Sequence, residues 1–514
     1  MIHDNTPILV GSGLIVQKEK DLSKAKSPVE LLADAARVAL DDCGQTGGVG
    51  EAVDTIASIR FVTDSPEARS LPYGQYANPA RTVANIMGLS PAHSMLAATG
   101  GNSPQMMINE LAERISQGRT DVALLVGGEG FASVMRAVAT GVDKSEWNDA
   151  PDEAPEVIGQ EKMGVLPVEH RHGLFFPVNY YPIFETALRA HLGRDVASHM
   201  QQVGNLMAPF TQVAAQHPQS WFPVARSAEE LVTPSDENRW IGYPYPKYLN
   251  SVIRIDQASA VVMTSVGKAR ELGIDESKWV YLHGCSDATE VWYGLERQDL
   301  HRSVAIHEMT KQAMEMAGWS VDDIDIFDLY SCFPSAVEVA CQEMGIRQDD
   351  PRPFTVTGGL PYFGGAGNAY TLMSVATMMQ KLRGNPGAKG LCNGNGWFLT
   401  KHSLGLYSTT PLEGEWKRQD PAILQAQIDA GPTRTYDEKP SGEGWIESYT
   451  VAHVVGKPPL GILIGRMQGS DHRFVAHMTS QGDHVAKLMQ EDGVGMKGML
   501  ATDENEINIF TPLS

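Results

Sequence analysis

Cysteine is scarce in this sequence, and the few cysteines present show no pattern. A structural zinc site or a disulfide framework requires cysteines in closely spaced sets. No two cysteines here form a CxxC pair. We therefore expect a chain that folds without a metal ion. A separate expectation is that the chain carries no bound cofactor. The five cysteines are Cys43, Cys285, Cys332, Cys341 and Cys392.

Long apolar runs and basic residues are also in short supply. No apolar run approaches the roughly 18 residues that a membrane-spanning helix needs. Lys and Arg number 41 against 62 Asp and Glu, which gives a formal net charge of −21. An acidic surface repels nucleic acids and anionic membranes, so we expect neither as a partner. Residues 1–5 lack the basic and apolar regions of a secretion signal, and we expect a cytoplasmic location.

What the sequence does contain is an internal repeat. A glycine-rich turn at 99–104 is followed by a helical pattern and then by a strand pattern at 122–130 that ends in Gly-Gly-Glu-Gly. A second glycine-rich turn at 364–370 is followed by another helical pattern and a glycine-rich strand end at 390–396. A turn, a helix and a strand therefore occur twice in the same order, which is the signature of a duplicated fold.

The two copies are in register. Asn102 lies 25 residues before Gly127, and Asn368 lies 25 residues before Asn393. Strand and helix patterns alternate around each copy, which is typical of a mostly parallel sheet with helices on both faces. We predict two stacked α/β halves with the functional site at their junction.

Two further segments complete the chain. Residues 131–250 break the repeat and are rich in His, Pro and Tyr, so we interpret them as an inserted loop domain. After residue 412, short alternating runs separated by Gly and Pro predict a small barrel of the oligonucleotide-binding (OB) shape. The expected domains are an N-terminal half at 1–275 that includes the insertion, a C-terminal half at 276–412 and an OB-like β domain at 413–514.

The glycine motifs, the duplication and the segment order over residues 5–410 resemble the thiolase superfamily, especially its type 1 thiolase-like proteins, often labelled acetyl-CoA acetyltransferases. The resemblance implies αβαβα layers and an acyl-CoA substrate, with CoA bound only as part of that substrate. The family's chemistry lies on four loops, and the first reads Cys-x-Ser/Thr-Gly with an acyl-accepting cysteine. Here Thr99-Gly100 sets the frame and places Ala97 at the nucleophile position, so that thiolate is absent.

The other three loops depart from the family to different extents. The second, Asn-Glu-Ala-Phe or His-Asp-Cys-Phe, reads Tyr-Ser-Cys-Phe at 330–333, which puts Tyr330 where the oxyanion-hole residue lies. The third, Gly-His-Pro, reads Gly-Gly-Ala at 364–366, so Gly365 replaces the histidine base. The fourth, Cys-x-Gly, is retained at 392–394.

These motifs supply the candidate site residues. Tyr330 is a candidate general acid or base, with a buried, satisfied tyrosine as the equal alternative. Cys392 is a candidate acid/base thiol or a small residue in a tight strand end, whereas Cys332 is expected to pack in the core. His402 is a third catalytic candidate, although a lone histidine is more often structural. Glycine turns can approach a thioester closely and present N–H groups to its oxygen, so the candidate binding residues are Gly100, Gly101, Asn102, Tyr362, Gly364, Gly365, Gly394 and Gly396.

Two functions remain open. The first is an enzyme of lipid metabolism acting on an acyl-CoA at a carbon–carbon bond, by acyl transfer or by retro-aldol cleavage, which needs no acyl-enzyme. Some members of the superfamily cleave steroid side chains in this way with an OB-fold partner. The second is a non-catalytic acyl-CoA binding or carrier protein. The resemblance also allows a homodimer through the thiolase body. The phosphates of CoA need a local basic patch, and the candidate is His170-Arg171-His172, unless it is only a solvated loop tip.

Overall fold

The first copy of the repeat folds into alternating strands and helices. The structure is a computed structural model that describes residues 2–44, 48–64 and 71–513. Local signals set several helix starts: the first helix has Ser27 as its N-cap and Glu30 bonded back to it, with Pro28 in the first turn. The elements are β1 (Pro7–Val16), α1 (Pro28–Asp42), β2 (Thr55–Ser58), α2 (Pro79–Met87), β3 (His93–Ala97), α3 (Ser103–Ser116) and β4 (Val122–Gly130).

The insertion is mainly helical. An amphipathic helix that begins at Val196 forms the longest element of this region. The elements are α4 (Phe131–Thr140), β5 (Glu156–Ile158), α5 (Pro167–Arg171), α6 (Pro177–His191), α7 (Val196–Gln216), α8 (Ala228–Val232), β6 (Trp240–Tyr243) and β7 (Tyr245–Pro246).

The second copy begins after the last strand of the first half. The first half ends with β8 (Asp256–Ser265) and α9 (Val266–Glu271). The second half contains β9 (Val280–Thr289), α10 (Val304–Ala317), β10 (Ile326–Asp328), α11 (Pro334–Met344), α12 (Tyr370–Gly384), β11 (Lys389–Gly396) and β12 (Lys401–Ser408). Short 3₁₀ turns lie at Val62–Asp64, Ser145–Trp147, Lys247–Leu249, Glu276–Lys278, Gly294–Glu296, Val321–Asp323 and Gly367–Ala369.

The strand order confirms the duplication. One ten-stranded sheet has the order β10-β11-β12-β9-β1-β8-β4-β2-β3-β5. The run β2-β4-β8-β1 of the first half matches β10-β11-β12-β9 of the second. In each half the last strand is antiparallel to its neighbours, while β2–β4 and β10–β11 are parallel. A short antiparallel pairing of β1 with β9 joins the halves.

Two helices lie between the halves. α3 and α12 each contact strands of both halves, including β8 and β11, and they contact each other. α1 covers the outer face of the first half, and α10 covers that of the second. This is the predicted αβαβα layering. Both glycine-rich turns lie at the N-terminal ends of the central helices, so the fold brings the repeated motifs together at the junction.

The C-terminal region forms a closed five-stranded barrel. Its ring runs β13–β14–β15–β17–β16–β13, with the β15–β17 pair parallel and the other pairs antiparallel. This order, with a helix between the third and fourth strands, is the OB topology that the alternating pattern predicts. β6 of the insertion pairs with β13 and extends the barrel sheet. The elements are α13 (Pro421–Asp429), β13 (Gly442–Ala452), β14 (Leu460–Met467), β15 (Arg473–Met478), α14 (His484–Gln490), β16 (Lys497–Thr502) and β17 (Asn508–Pro512).

A buried arginine joins the barrel to the rest of the chain. Arg473 is fully buried and forms two hydrogen bonds of 2.8 Å with the carboxylate of Glu447 in the barrel. Its remaining N–H groups donate to carbonyl oxygens of Gly294, Arg297 and Gln298 in the second half. The arginines beside Glu447 lower the pKa of that carboxyl to about 2 despite its burial.

One apparent strand pattern is not a strand. Residues 252–256 have a β-branched run, yet β8 begins only at Asp256. The backbone of the preceding segment bonds to the site loops instead: Ser251 N–H donates to Cys332 O at 3.1 Å, and Gly365 N–H donates to Val252 O at 2.9 Å. Partners from distant loops therefore override the local β propensity.

No helix in the described part of the chain has the length and apolarity required to cross a bilayer. The cytoplasmic location stays a prediction.

Candidate functional site

A cavity of about 500 Å³ lies where the four predicted loops meet. The insertion closes one side with the start of α6, and Ser251 and Ile253 complete the rim. A larger groove of about 1120 Å³ runs along α7 and the 347–354 loop, but none of the four motif loops lines it. The loop segments that line the cavity are Thr99–Gly101, Tyr330 with Cys332 and Phe333, Gly365 with Gly367 and Asn368, and Asn395 with Trp397 and Phe398.

Tyr330 presents a protonated hydroxyl at this cavity. It follows β10 by two residues, and its N–H donates to Asn393 Oδ1 at 2.8 Å. Burial, and to a lesser degree the charge of Cys332, raises the pKa of Tyr330 well above its usual value of 10. No described residue forms a hydrogen bond with its hydroxyl. At neutral pH the phenol is therefore a hydrogen-bond donor and not a base.

The first glycine turn is held almost completely by protein partners. Thr99 N–H donates to Glu161 at 2.9 Å, and Thr99 O accepts from Lys401 Nζ. Gly100 N–H donates to Asn368 Oδ1 at 2.9 Å, and Gly100 O accepts from the Ser103 N–H.

Gly101 carries the one backbone group of that turn that has no partner among the described contacts. Its carbonyl accepts from Thr371 Oγ1 at 2.6 Å, which leaves its N–H as the unpaired backbone group of 99–101 among the described contacts. A Cβ at Gly101 would lie 2.0 Å from Tyr330 Oη, so only glycine fits beside this tyrosine. Gly101 therefore lies against the end of Tyr330 with its N–H unpaired among the described contacts, and a buried N–H without a protein partner calls for a ligand or water acceptor.

Cys332 packs in the buried core, as the sequence pattern predicts, and it also lines the cavity. Its neighbours are Tyr181 and Asn395, whose amide lies 4.0 Å from the sulfur. Burial raises the pKa of the Cys332 thiol to about 12. Since the thiolate is the nucleophile, this thiol is unreactive at neutral pH.

The third loop has no room for the family's histidine. A Cβ at Gly365 would lie 2.2 Å from Ser251 Oγ, so the serine from the segment before β8 fills that space. Asn368 on the same loop joins the second half to the first: it accepts from the Gly100 N–H and donates to Arg60 O at 2.9 Å.

The structure places Cys392 and His402 away from the cavity. Cys392 is fully buried and lies 3.5 Å from Ser374 Oγ on the central helix α12, and burial raises the pKa of its thiol well above 9. His402 lies near Glu290 and Arg297, and burial lowers the pKa of its ring to about 4. Neither side chain lines the cavity.

The remaining candidates divide into two groups. Gly100, Gly101 and Gly365 line the cavity together with Tyr330. The other positions lie behind its wall. Ala97 is the buried last residue of β3, Tyr362 is buried with an unpaired hydroxyl, Gly364 faces Gln257, and Gly394 and Gly396 pack against Asn102.

Lys401 is the charged residue that sequence reasoning missed. It is the first residue of β12, directly before His402, and side chains alternate between the two faces of a strand. The structure turns Lys401 toward the Thr99–Gly100 turn and His402 away from it. The sequence signal that could have identified Lys401 is its position a few residues after the fourth motif loop.

No charged side chain lines the cavity among the described residues. The proposed basic cluster does not supply one, because His172 is buried between Val168 O and the Asn508 N–H and its pKa is lowered to about 4. His170 packs on Phe175 at the cavity wall with ring centroids 5.0 Å apart. The cavity therefore suits an apolar group, and the phosphates of a CoA would lie outside it.

Glu129 is a buried carboxyl close to the cavity. It ends the Gly-Gly-Glu strand, accepts from the Val62 N–H at 2.7 Å and lies beside Gly367. Burial, with the charges of Asp64 and Asp256, raises the pKa of Glu129 from 4.5 to about 8.

Glu129→Gln is expected to make the protein more stable at high pH. A carboxyl whose pKa is raised on folding favours the folded state less as pH rises from 4.5 through 8, because it must ionise while buried. Glutamine keeps the acceptor for Val62 and cannot ionise. Thermal unfolding should be nearly equal at pH 4.5 and favour the variant by roughly 2–4 kcal/mol at pH 9. An effect independent of pH would contradict the assignment.

Glu185, His199 and Glu338 are the group of described residues whose ligand atoms lie close enough to hold a metal ion. All three are fully buried, but His199 Nε2 bonds directly to Glu185 Oε1 at 2.5 Å, and Tyr245 donates to the same carboxylate. Burial and the charge of Glu185 raise the pKa of Glu338 well above 4.5. This arrangement fits a proton shared among the three side chains. We therefore expect a chelator to leave the thermal unfolding of the protein unchanged.

Comparison with known proteins agrees with this architecture. Residues 423–505 match the family model described as the thiolase-like protein type 1 additional C-terminal domain. The solved structure of a monomeric SCP2-thiolase like protein type 1 from Mycobacterium smegmatis is 36% identical, has a TM-score of 0.84 and aligns over 99% of both chains. An Ltp2-ChsH2(DUF35) aldolase is 16% identical with a TM-score of 0.58, over 79% of this chain and 98% of that chain.

Curated relatives are more distant. An acetyl-CoA acetyltransferase of Methanothermobacter thermautotrophicus is 21% identical over 325 residues, which is 60% of this chain and 76% of that protein. The chain spans only 22% of the length of the rat and mouse cytosolic acetyl-CoA acetyltransferases, at 29% identity over 89 residues. From its full-length likeness to the mycobacterial protein and its matching C-terminal domain, the chain belongs to the type 1 thiolase-like proteins of the thiolase superfamily.

Proposed function

We propose that the protein acts on acyl-CoA thioesters at a carbon–carbon bond without forming an acyl-enzyme. The observation that carries this proposal is the pair of unpaired donors, the Gly101 N–H and the Tyr330 hydroxyl, side by side at an uncharged cavity. Donors fixed in a water-poor site stabilise negative charge that develops on a carbonyl oxygen. Such charge develops on a thioester in retro-aldol cleavage and in acyl transfer. The likeness to an aldolase and to acetyl-CoA acetyltransferases supports the same chemistry.

The cavity suits an acyl group larger than acetyl. Its volume is about 500 Å³, and Phe175, Phe176, Phe333, Trp397 and Phe398 are among its lining residues. An apolar cavity of this size buries a sizeable hydrophobic group and gains free energy from each CH₂ it removes from water. Tyr330 and Gly101 would hold the thioester carbonyl, with the acyl chain against the aromatic rings.

A non-catalytic binding protein is the second candidate. The observation in its favour is that no described lining side chain is a base near neutral pH, since the pKa of Tyr330 and of Cys332 is raised. Mass spectrometry of the protein with a panel of acyl-CoAs and 3-hydroxyacyl-CoAs separates the two. Turnover of any member supports the enzyme. Retention of a thioester without turnover supports the carrier, and neither binding nor turnover would contradict both.

No covalent acyl-enzyme is expected to form. Ala97 offers no nucleophile, and the Cys332 thiol at the cavity has a pKa of about 12. Intact-mass spectra after incubation with acetyl-CoA or acetoacetyl-CoA should show the unmodified mass, with a papain-type thiol protease and its acylating inhibitor as the positive control. Stoichiometric labelling of a cysteine would show that the loop assignment is wrong.

We infer a monomer rather than the homodimer that the resemblance allowed. The support is the description of the mycobacterial relative as monomeric, together with its likeness to this chain over its whole length. Light scattering after size-exclusion chromatography should give one chain mass of 55.9 kDa. A mass of two chains would contradict this.

A further inference from the structure

Lys401 is a buried ammonium group directly behind the turn that carries the free Gly101 N–H. The residue is 6% exposed. Nζ donates to the carbonyl oxygen of Thr99 and, at 3.4 Å, to that of Gln160. A Cβ at Gly100 would lie 2.8 Å from Lys401 Cε, so the lysine stem packs against the turn itself. The Thr99–Gly100 peptide is thus held at its carbonyl by Lys401 and at its N–H by Asn368.

Burying the charge of Lys401 costs free energy, which indicates that the hydrogen bonds of its ammonium group have a role. Taking an ammonium group out of water disfavours its charged form, and a methionine would fill similar space without that cost. Burial lowers the pKa of Lys401 to about 8, and the charge of Glu161 opposes the shift. Glu161 is itself held by Arg60 Nε at 3.0 Å and by the Thr99 N–H. Among the described residues, Glu161 is the charged group that acts on Lys401.

We propose that Lys401 is the positioning residue of this site: its ammonium group, bound to the Thr99 carbonyl, holds the turn so that the Gly101 N–H meets the thioester oxygen. The proposal rests on the proposed function, since it assigns an oxygen ligand to that N–H. Lys401 does not line the cavity and acts through the turn. Losing its proton weakens a charge-assisted hydrogen bond, so ligand affinity falls as pH rises through about 8.

The first test measures binding of octanoyl-CoA by calorimetry between pH 6.5 and 9.5. Wild-type affinity should fall about tenfold with a midpoint near pH 8, and Lys401→Arg, which stays charged, should show no such midpoint. Lys401→Met should bind about tenfold more weakly at every pH. Lys389→Met is the matched control, because Lys389 pairs with Asp323 at 3.3 Å, away from the cavity, and it should behave like wild type. A flat wild-type profile, or full affinity in Lys401→Met, would overturn the proposal.

The second test needs no ligand. Hydrogen exchange followed by mass spectrometry reads the protection of the peptide that covers Thr99–Ser103. Lys401→Met should lose about tenfold of this protection, and Lys401→Arg should keep it. If exchange follows this pattern while wild type binds no acyl-CoA, the proposed function fails and the positioning role stands. If Lys401→Met exchanges like wild type, the positioning role fails whatever the binding data show.

Discussion

Tyr330→Phe is expected to lower turnover about 10²–10³-fold on whichever acyl-CoA proves to be the substrate, the usual effect of losing one oxyanion donor. The change removes one hydroxyl and keeps the ring, which packs edge-on against Tyr370 with centroids 5.6 Å apart. Because the hydroxyl bonds to no described residue, stability should change little. Steady-state kinetics and thermal unfolding of the same preparations measure the two effects.

Tyr362→Phe is the matched control for that experiment. Tyr362 is also buried and its hydroxyl also lacks a partner, but it lies outside the cavity. Its turnover should equal that of wild type. A Tyr330→Phe enzyme with unchanged turnover would reduce Tyr330 to a packing residue. A fall in Tyr362→Phe would restore the binding role that the sequence pattern assigned to that tyrosine.

Arg473→Met is expected to destabilise the folded chain by roughly 3–5 kcal/mol, the usual cost of removing one member of a buried ion pair. The variant leaves the Glu447 carboxylate without its two 2.8 Å hydrogen bonds to Arg473. It also removes the bonds from the barrel to the carbonyls of Gly294 and Arg297. We expect the barrel to loosen from the thiolase body before the body unfolds, seen as a separate early transition in urea followed by fluorescence.

Arg466→Met provides the comparison. Arg466 bonds the same carboxylate at 2.9 Å but is partly exposed and contacts no residue of the second half in the described hydrogen bonds. Its loss should cost about 1 kcal/mol or less, as for a partly exposed ion pair. If the two variants lost equal free energy of unfolding, the burial of Arg473 and its bonds across the domain boundary would contribute nothing to stability.

The sequence by itself determined the duplicated body, the barrel and part of the site. The 25-residue spacing predicted the repeat, because the turn, the central helix and the strand have matching lengths in both halves. The alternating runs after residue 412 predicted the barrel, because each barrel strand buries one face and so alternates apolar and polar residues. Tyr330 and the glycines at 100, 101 and 365 were identified from the repeated glycine-rich turns and from the resemblance of their loops to the thiolase motifs.

Only the tertiary structure decided which neighbouring side chains face the cavity or the turn at its edge. Lys401 and His402 are adjacent in one strand, and the phase of the strand turns the lysine toward the turn and the histidine away. Cys332 and Cys392 are both buried cysteines of motif loops, yet only Cys332 lines the cavity. One residue of register exchanges the two faces of a strand, and that register is set by pairing with distant strands.

The tertiary structure also decided what occupies the space beside the site glycines. Ser251 occupies the space beside Gly365, and the ring of Tyr330 ends where a side chain at Gly101 would begin. These pairs are separated by more than a hundred residues, so no local pattern relates them. The motifs therefore located the loops, whereas long-range packing determined that the site offers a protonated phenol, a free N–H and a buried lysine behind them.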